Sequence, residues 1–199
     1  MFSKLFKKKN SGVSMEVQLN NLKEIGISLN SEIKINKIFQ VVGRKDIETE
    51  PYVFLLIALG SEIEIADGQL VLMSDDVWYF DSECIEDSGI YVEIIERLFK
   101  MSKGYLRLDN IDDYVDIENN EAWVSFDFNQ KYYRWDLKVE DDWFDMTLIQ
   151  KINRMLIEHG YNKKFAVVVL DQTSLIGFFS KEQLKKINDL TELKFEFYC

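Results

Sequence analysis

The sequence predicts an α+β fold: a mainly antiparallel sheet made from two β-hairpin-helix units plus a C-terminal strand, with an N-terminal helical segment. Three observations predict it. Apolar residues recur at helical spacing along much of the chain before Gly60, two later stretches alternate or run apolar about short turns, and each of those hairpins is followed by an amphipathic helical stretch.

The chain opens with "MFSKLFKKKN", and residues 1–12 read as a basic flexible tail ahead of a single α+β domain at 13–199. Within that domain a helical part spans 13–60 and a sheet-rich part 65–199. One proline, nine glycines and no Ser/Gly/Pro-rich run leave no segment that reads as an interdomain linker.

In "SMEVQLNNLKEIGI", Val17, Leu19, Leu22 and Ile25 have roughly helical spacing, and Gly26 supplies a stop. "SEIKINKIFQVVG" is ambiguous: Ile33 and Ile35 alternate, whereas Ile38, Phe39 and Val42 fall in helical register. "EPYVFLLIALG" is firmer, with Pro51 suited to a first helical turn, an apolar run to Leu59 and Gly60 at the end. A helix so uniformly apolar is buried on most sides.

"QLVLMS" and "VWYF" read as short strands. They lead into "DSGIYVEIIERLFKMSKG", where Ile90, Ile94, Ile95, Leu98 and Phe99 line one helical face and Asp87 or Ser88 is placed to cap its start. "AWVSFDFNQKYYRWDLKV" is two strands about a turn at Asn129-Gln130. Ala122, Val124, Phe126 and Phe128 face one way on the first strand, and Tyr133, Trp135, Leu137 and Val139 supply the apolar face of the second.

A helix follows at 145–159. "KFAVVVL" and "SLIGFF" then pair across Asp171-Gln172-Thr173, a capping box joins Ser180 to Gln183, and "LKFEFYC" ends the chain as a strand. The order suggests one shared antiparallel sheet with helices on one face.

With 24 Lys and Arg against 35 Asp and Glu, the formal charge is −11. Such a field repels phosphate backbones and favours a basic protein partner, so nucleic acid is not expected to bind. Cys84 and Cys199 form no C-x-x-C pair and fit reduced thiols in a cytoplasmic protein. The opening has neither the apolar core of a signal peptide nor a membrane span after it. Residues 1–9, with Phe2, Leu5 and Phe6 beside four lysines, leave a peripheral membrane adaptor as one alternative.

The lone histidine, His159, stands beside Gly160 at the end of the 145–159 helix, where a capping role suits it. Cys84 lies among Asp81, Glu83, Glu86 and Asp87, a charge environment opposed to a reactive thiolate. No P-loop, dinucleotide fingerprint, nucleophile elbow or H-E-x-x-H motif occurs, and no cofactor is expected. A calcium loop starting at Asp116 fails because Glu121 stands where glycine is required and Asp127 falls within a strand. The acidic stretches "DDVWYFDSECIED", "DNIDDYVDIENNE" and "EDDWFD" keep a carboxylate-metal hydrolase using magnesium, manganese or calcium as a second alternative.

The leading expectation is a non-enzymatic acidic protein-binding module. Its candidate partner-binding residues are Asp75, Asp76, Trp78, Asp81, Glu83, Asp141, Asp142, Trp143 and Asp145, with acids steering the encounter and tryptophans anchoring it. Part of this acid content also has a local use, because Glu86 and Asp87 precede a helix N-terminus and Asp142 or Asp145 is placed to cap the next one.

Over 50–199 the stretches "EPYVFLLIALG", "VWYFDSECIEDSGIY", "DDYVDIENNEAWVSF", "YRWDLKVEDDWFD" and "LTELKFEFY" resemble an uncharacterised family of bacterial proteins. In layout and charge the chain also resembles the immunity proteins of bacterial toxin systems. That resemblance implies a protein that binds and neutralises a basic toxin.

Overall fold

The computed structural model describes residues 12–65 and 68–199. Residues 1–11 of the expected tail, and with them the stretch assigned to membrane contact, lie outside the described residues. The architecture is α+β.

Helix α1 (Met15–Ile25) starts where the Ser14 hydroxyl accepts the Val17 amide and ends at Gly26, whose φ of 100° suits a residue without Cβ. The ambiguous stretch becomes a 3₁₀ turn, Ile35–Gln40, followed by α2 (Arg44–Thr49) and α3 (Val53–Gly60). The last helix begins later than Pro51 suggests, because Tyr52 takes a φ of 71°. Fully buried Gln18 holds that turn. Its Oε1 accepts the Tyr52 amide at 2.7 Å, while Nε2 donates to the carbonyls of Val13 and Ile47.

The strands β1 (Glu62–Glu64) and β2 (Leu70–Leu72) form a small antiparallel ribbon, and β3 (Val77–Asp81) then leads to α4 (Ile90–Lys100). Neither Asp87 nor Ser88 caps α4. The carboxylate of Asp113, on β4 (Asp109–Asp116), accepts the amides of Gly89 at 2.6 Å, Tyr91 at 2.8 Å and Val92 at 3.2 Å. A buried carboxylate from a neighbouring strand thus meets the orphan amides, while Ser88 accepts the Val115 amide. Strands β5 (Glu121–Phe128) and β6 (Lys131–Leu137) pair as expected about Asn129 and Gln130, and α5 (Thr147–Glu158) follows.

The last unit is β7 (Lys163–Leu170), β8 (Thr173–Ser180), α6 (Lys181–Leu190) and β9 (Glu196–Phe197), with the Ser180–Gln183 capping box in place.

The two hairpin units do not share a sheet. One four-stranded sheet has the order β3-β8-β7-β9, and β4-β5-β6 form a separate three-stranded sheet. Residue pattern explains the division. The near-continuous apolar runs of β7 and β8 need cover on both faces, whereas β5 and β6 alternate and need it on only one.

In the four-stranded sheet, Phe165, Val167, Ile176 and Phe178 enter one core with α4, α5 and the inner face of the three-stranded sheet. Ala166, Val168, Leu175 and Phe179 enter a second core with α1, α3 and α6. Helices therefore lie on both faces of this sheet instead of one. Close approach sets the spacing of its second face: a Cβ on Gly60 would lie 2.4 Å from the Tyr79 backbone nitrogen, so only glycine lets the end of α3 rest on β3.

Candidate functional site

Two acid-aromatic stretches distant in sequence meet at one end of β3. Glu83 bridges Trp143 in an antiparallel contact, the amides of Cys84 and Ile85 both donate to the Asp142 carbonyl at 2.9 Å, and the Phe144 amide donates to the Ser82 carbonyl at 2.8 Å. Backbone bonds thus fix the two loops to each other. Asp81, Glu83, Asp141 and Asp142 are exposed on the result, and Trp143 stands among them 39% exposed. No lysine, arginine or histidine among the described residues pairs with any of these four acids.

Local bonds hold the loops from inside. Asp81 Oδ1 accepts the Glu83 amide at 3.1 Å, and Gln172 Nε2 donates to Glu83 Oε2 at 3.0 Å, tying the surface to the β7–β8 turn. Asp141 sits at a φ of 49° and turns the chain ahead of Trp143. Beneath, Phe144 packs edge-on to Phe80 with ring centroids 5.0 Å apart.

Asp145 is buried, and it serves this loop from within. Its carboxylate accepts the Lys138 amide at 2.9 Å, the Thr147 amide at 2.9 Å and the Thr147 hydroxyl at 2.8 Å. It therefore caps α5 and closes the 138–147 loop that carries Trp143. A cleft of about 380 Å³, lined by Lys138, Glu140, Trp143 and Met146 among others, runs beside the indole.

Three other candidates lie elsewhere or inward. Asp75 and Asp76 lie at the opposite end of β3, where cations are close. Asp76 pairs with Lys103 at 2.6 Å and accepts the Ser28 amide at 3.0 Å, while Asp75 Oδ1 stands 3.9 Å from both Arg97 and Lys100. Trp78 is half-buried against Phe80, its ring 5.8 Å from the Arg97 guanidinium, in a cleft of about 360 Å³ that also reaches Asp81, Cys84 and Glu93. It connects the acidic loops to the core without joining Trp143.

The thiol of Cys84 is pushed up to about 12, chiefly by burial and then by the charges of Asp81 and Asp142. His159 ends α5, with Nε2 2.8 Å from the Tyr133 hydroxyl and Nδ1 3.3 Å from Asn129, and so ties the helix terminus to the β5–β6 hairpin. Among the described residues no group of three His, Cys, Asp or Glu side chains is arranged to hold a metal ion, and no helix is long and apolar enough to cross a membrane.

A second acid-aromatic surface lies in "DNIDDYVDIENNE" and the strands beside it, a stretch that in sequence offers itself only as a source of cation ligands. It is the outer face of the β4-β5-β6 sheet, where Tyr114 stacks on Trp123 with centroids 6.1 Å apart. The signal was the alternation itself: the polar partners of Ala122, Val124 and Phe126 must point outward together.

No family model, curated protein or solved structure matches this chain.

Proposed function

We propose that this protein is a non-enzymatic acidic binding module that docks a cationic protein through the surface formed by residues 81–85 and 140–145. In its most concrete form it is a cytoplasmic immunity-type protein that covers the basic site of a toxin, as the resemblance in layout and charge implies. One observation carries the reading: Trp143 stands 39% exposed in a backbone-fixed loop, bridged to Glu83 and next to Asp142, on a surface whose exposed acids Asp81, Glu83 and Asp142 no cation pairs with among the described residues.

An aromatic anchor within a polar rim is the arrangement that concentrates binding energy at protein interfaces, and unpaired acids speed the approach of an oppositely charged partner. Anchoring the loops before contact reduces the ordering cost of association. Asp145, Gln172 and Phe144 supply that anchoring, and in this reading they position the surface without touching the partner.

The test is affinity purification from the native host with the wild-type chain, a Trp143→Ala variant and a Glu83→Lys/Asp142→Lys variant. A basic protein retained at low salt, released at high salt and lost from both variants is the expected result. Recovery of no basic protein, or equal retention by all three chains, refutes the reading.

A further inference from the structure

We propose that the outer face of the β4-β5-β6 sheet is a second docking surface, specific for an arginine-bearing extended segment of a cationic protein. It does not depend on the Trp143 surface.

Strand register places the residues. Tyr114, Trp123 and Asp136 form one cross-strand row, Asp112, Ser125 and Arg134 the next, and Asp127 and Tyr132 a third. The opposite side of the same strands is buried in the core, so this face carries the polar set. Asp112, Tyr114, Glu121, Tyr132, Arg134 and Asp136 are exposed.

Charge complementarity identifies the partner. Asp109 stands opposite Asp127, and Asp116 opposite Glu121, so two cross-strand pairs put like charge directly against like. Such pairs destabilise a sheet unless something neutralises them. Among the described residues no carboxylate of this face is in an ion pair with a lysine, arginine or histidine, and the one arginine on the face, Arg134, lies over the Trp123 ring. The hydrogen bonds of Asp127 and Asp116 come from neutral donors: Asp127 accepts from Asn110 at 2.6 Å, and Asp116 accepts the Asn119 side chain at 2.8 Å, the Asn119 amide at 2.9 Å and the Tyr114 hydroxyl at 3.3 Å. A partner's cation would meet carboxylates that stand outside any ion pair among the described residues.

The aromatic rings select among cations. The Arg134 guanidinium lies 3.9 Å from the Trp123 ring centroid, so the face already holds one guanidinium by stacking. Tyr132, 61% exposed, is open to a partner in the same way, and Tyr114, stacked on Trp123 on one side, is 37% exposed. A planar guanidinium stacks on an aromatic face and forks to carboxylates, whereas an ammonium is a compact, strongly hydrated charge. Side chains of an extended segment also project to one side at every second residue, which matches the pleat of the sheet beneath.

The experiment is calorimetric titration of the full chain with a peptide of alternating arginine and serine and with its lysine counterpart. The arginine peptide should bind about tenfold or more tightly than the lysine peptide at low salt, and salt should weaken it. Charge reversal by Asp112→Lys, Glu121→Lys and Asp136→Lys together should weaken the arginine peptide by about tenfold or more, with Glu83→Lys/Asp142→Lys within about twofold of wild type. Circular dichroism checks that each variant is folded. Tyr114→Ser/Tyr132→Ser, which keeps every charge, should remove the preference for arginine. Equal affinity for the two peptides, equal loss in the two charge-reversal variants, or an undiminished arginine preference in the tyrosine variant overturns the proposal.

Discussion

Replacing Asp145 with alanine tests how the Trp143 loop is held. The substitution deletes a buried carboxylate that accepts from the Lys138 amide, the Thr147 amide and the Thr147 hydroxyl, each at 2.9 Å or less. Losing a helix cap costs about 0.5–2 kcal/mol, and a hydrogen bond to a charged acceptor contributes about 1.5–3 kcal/mol. Thr147 is exposed and regains water as a partner, whereas the Lys138 amide is partly buried. The expected loss is therefore about 2–4 kcal/mol. For a chain of this size that lowers the melting temperature by about 5–15 °C. Urea unfolding followed by circular dichroism measures it, and iodide quenching of tryptophan fluorescence should rise as the loop loosens. Asp145→Asn keeps one oxygen acceptor and should lose less. A loss under about 0.5 kcal/mol for Asp145→Ala with unchanged denaturant dependence would refute the assignment of this carboxylate as the cap and clamp of the loop.

Asp113→Ala should destabilise the fold by a comparable amount, about 2–4 kcal/mol, because it strips three amides at the start of α4 of one shared acceptor; unfolding in urea would show it, and a neutral effect would contradict the cap. Cys84, with its thiol near 12, should react with a maleimide at pH 8 far more slowly than exposed Cys199, and Asp142→Asn should speed it; mass spectrometry after timed labelling decides, with equal rates refuting the shift. The same shift has a stability consequence, because the unfolded thiol ionises near its ordinary 9.0 while the folded one keeps its proton. That contribution is complete below pH 9 and is lost as pH rises through 12, a decline that Cys84→Ala should remove from a pH series of unfolding curves. Gly60→Ala should cost about 1–3 kcal/mol by driving α3 off β3, and an unchanged melting temperature would contradict the close approach.

How far these elements could be read in advance depends on the range of the forces that make them. Residues 15–25 form a helix, 121–137 a hairpin, and Ser180 with Gln183 a capping box because each depends on neighbours within a few positions, where spacing and side-chain type suffice. Near-continuous apolar runs in β7 and β8 also carry the signal for a sheet covered on both faces, although the repeated hairpin-helix order suggests one sheet where the structure has two. Acid–aromatic interleaving marked Trp143 and its flanking acids as surface candidates from spacing and residue type alone.

Tertiary structure decided everything that depends on which distant segments meet. Asp113 reaches across to cap α4, Gln18 holds a tyrosine at positive φ, and Glu83 meets Trp143, and no local pattern announces any of these. It also separated acids that composition treats alike: Asp76 pairs with Lys103, Asp145 is buried as a cap, and Asp142 remains on the surface. The physical reason is that a carboxylate's role is set by the donors and cations within a few ångströms of it, and those come from parts of the chain that only folding brings near.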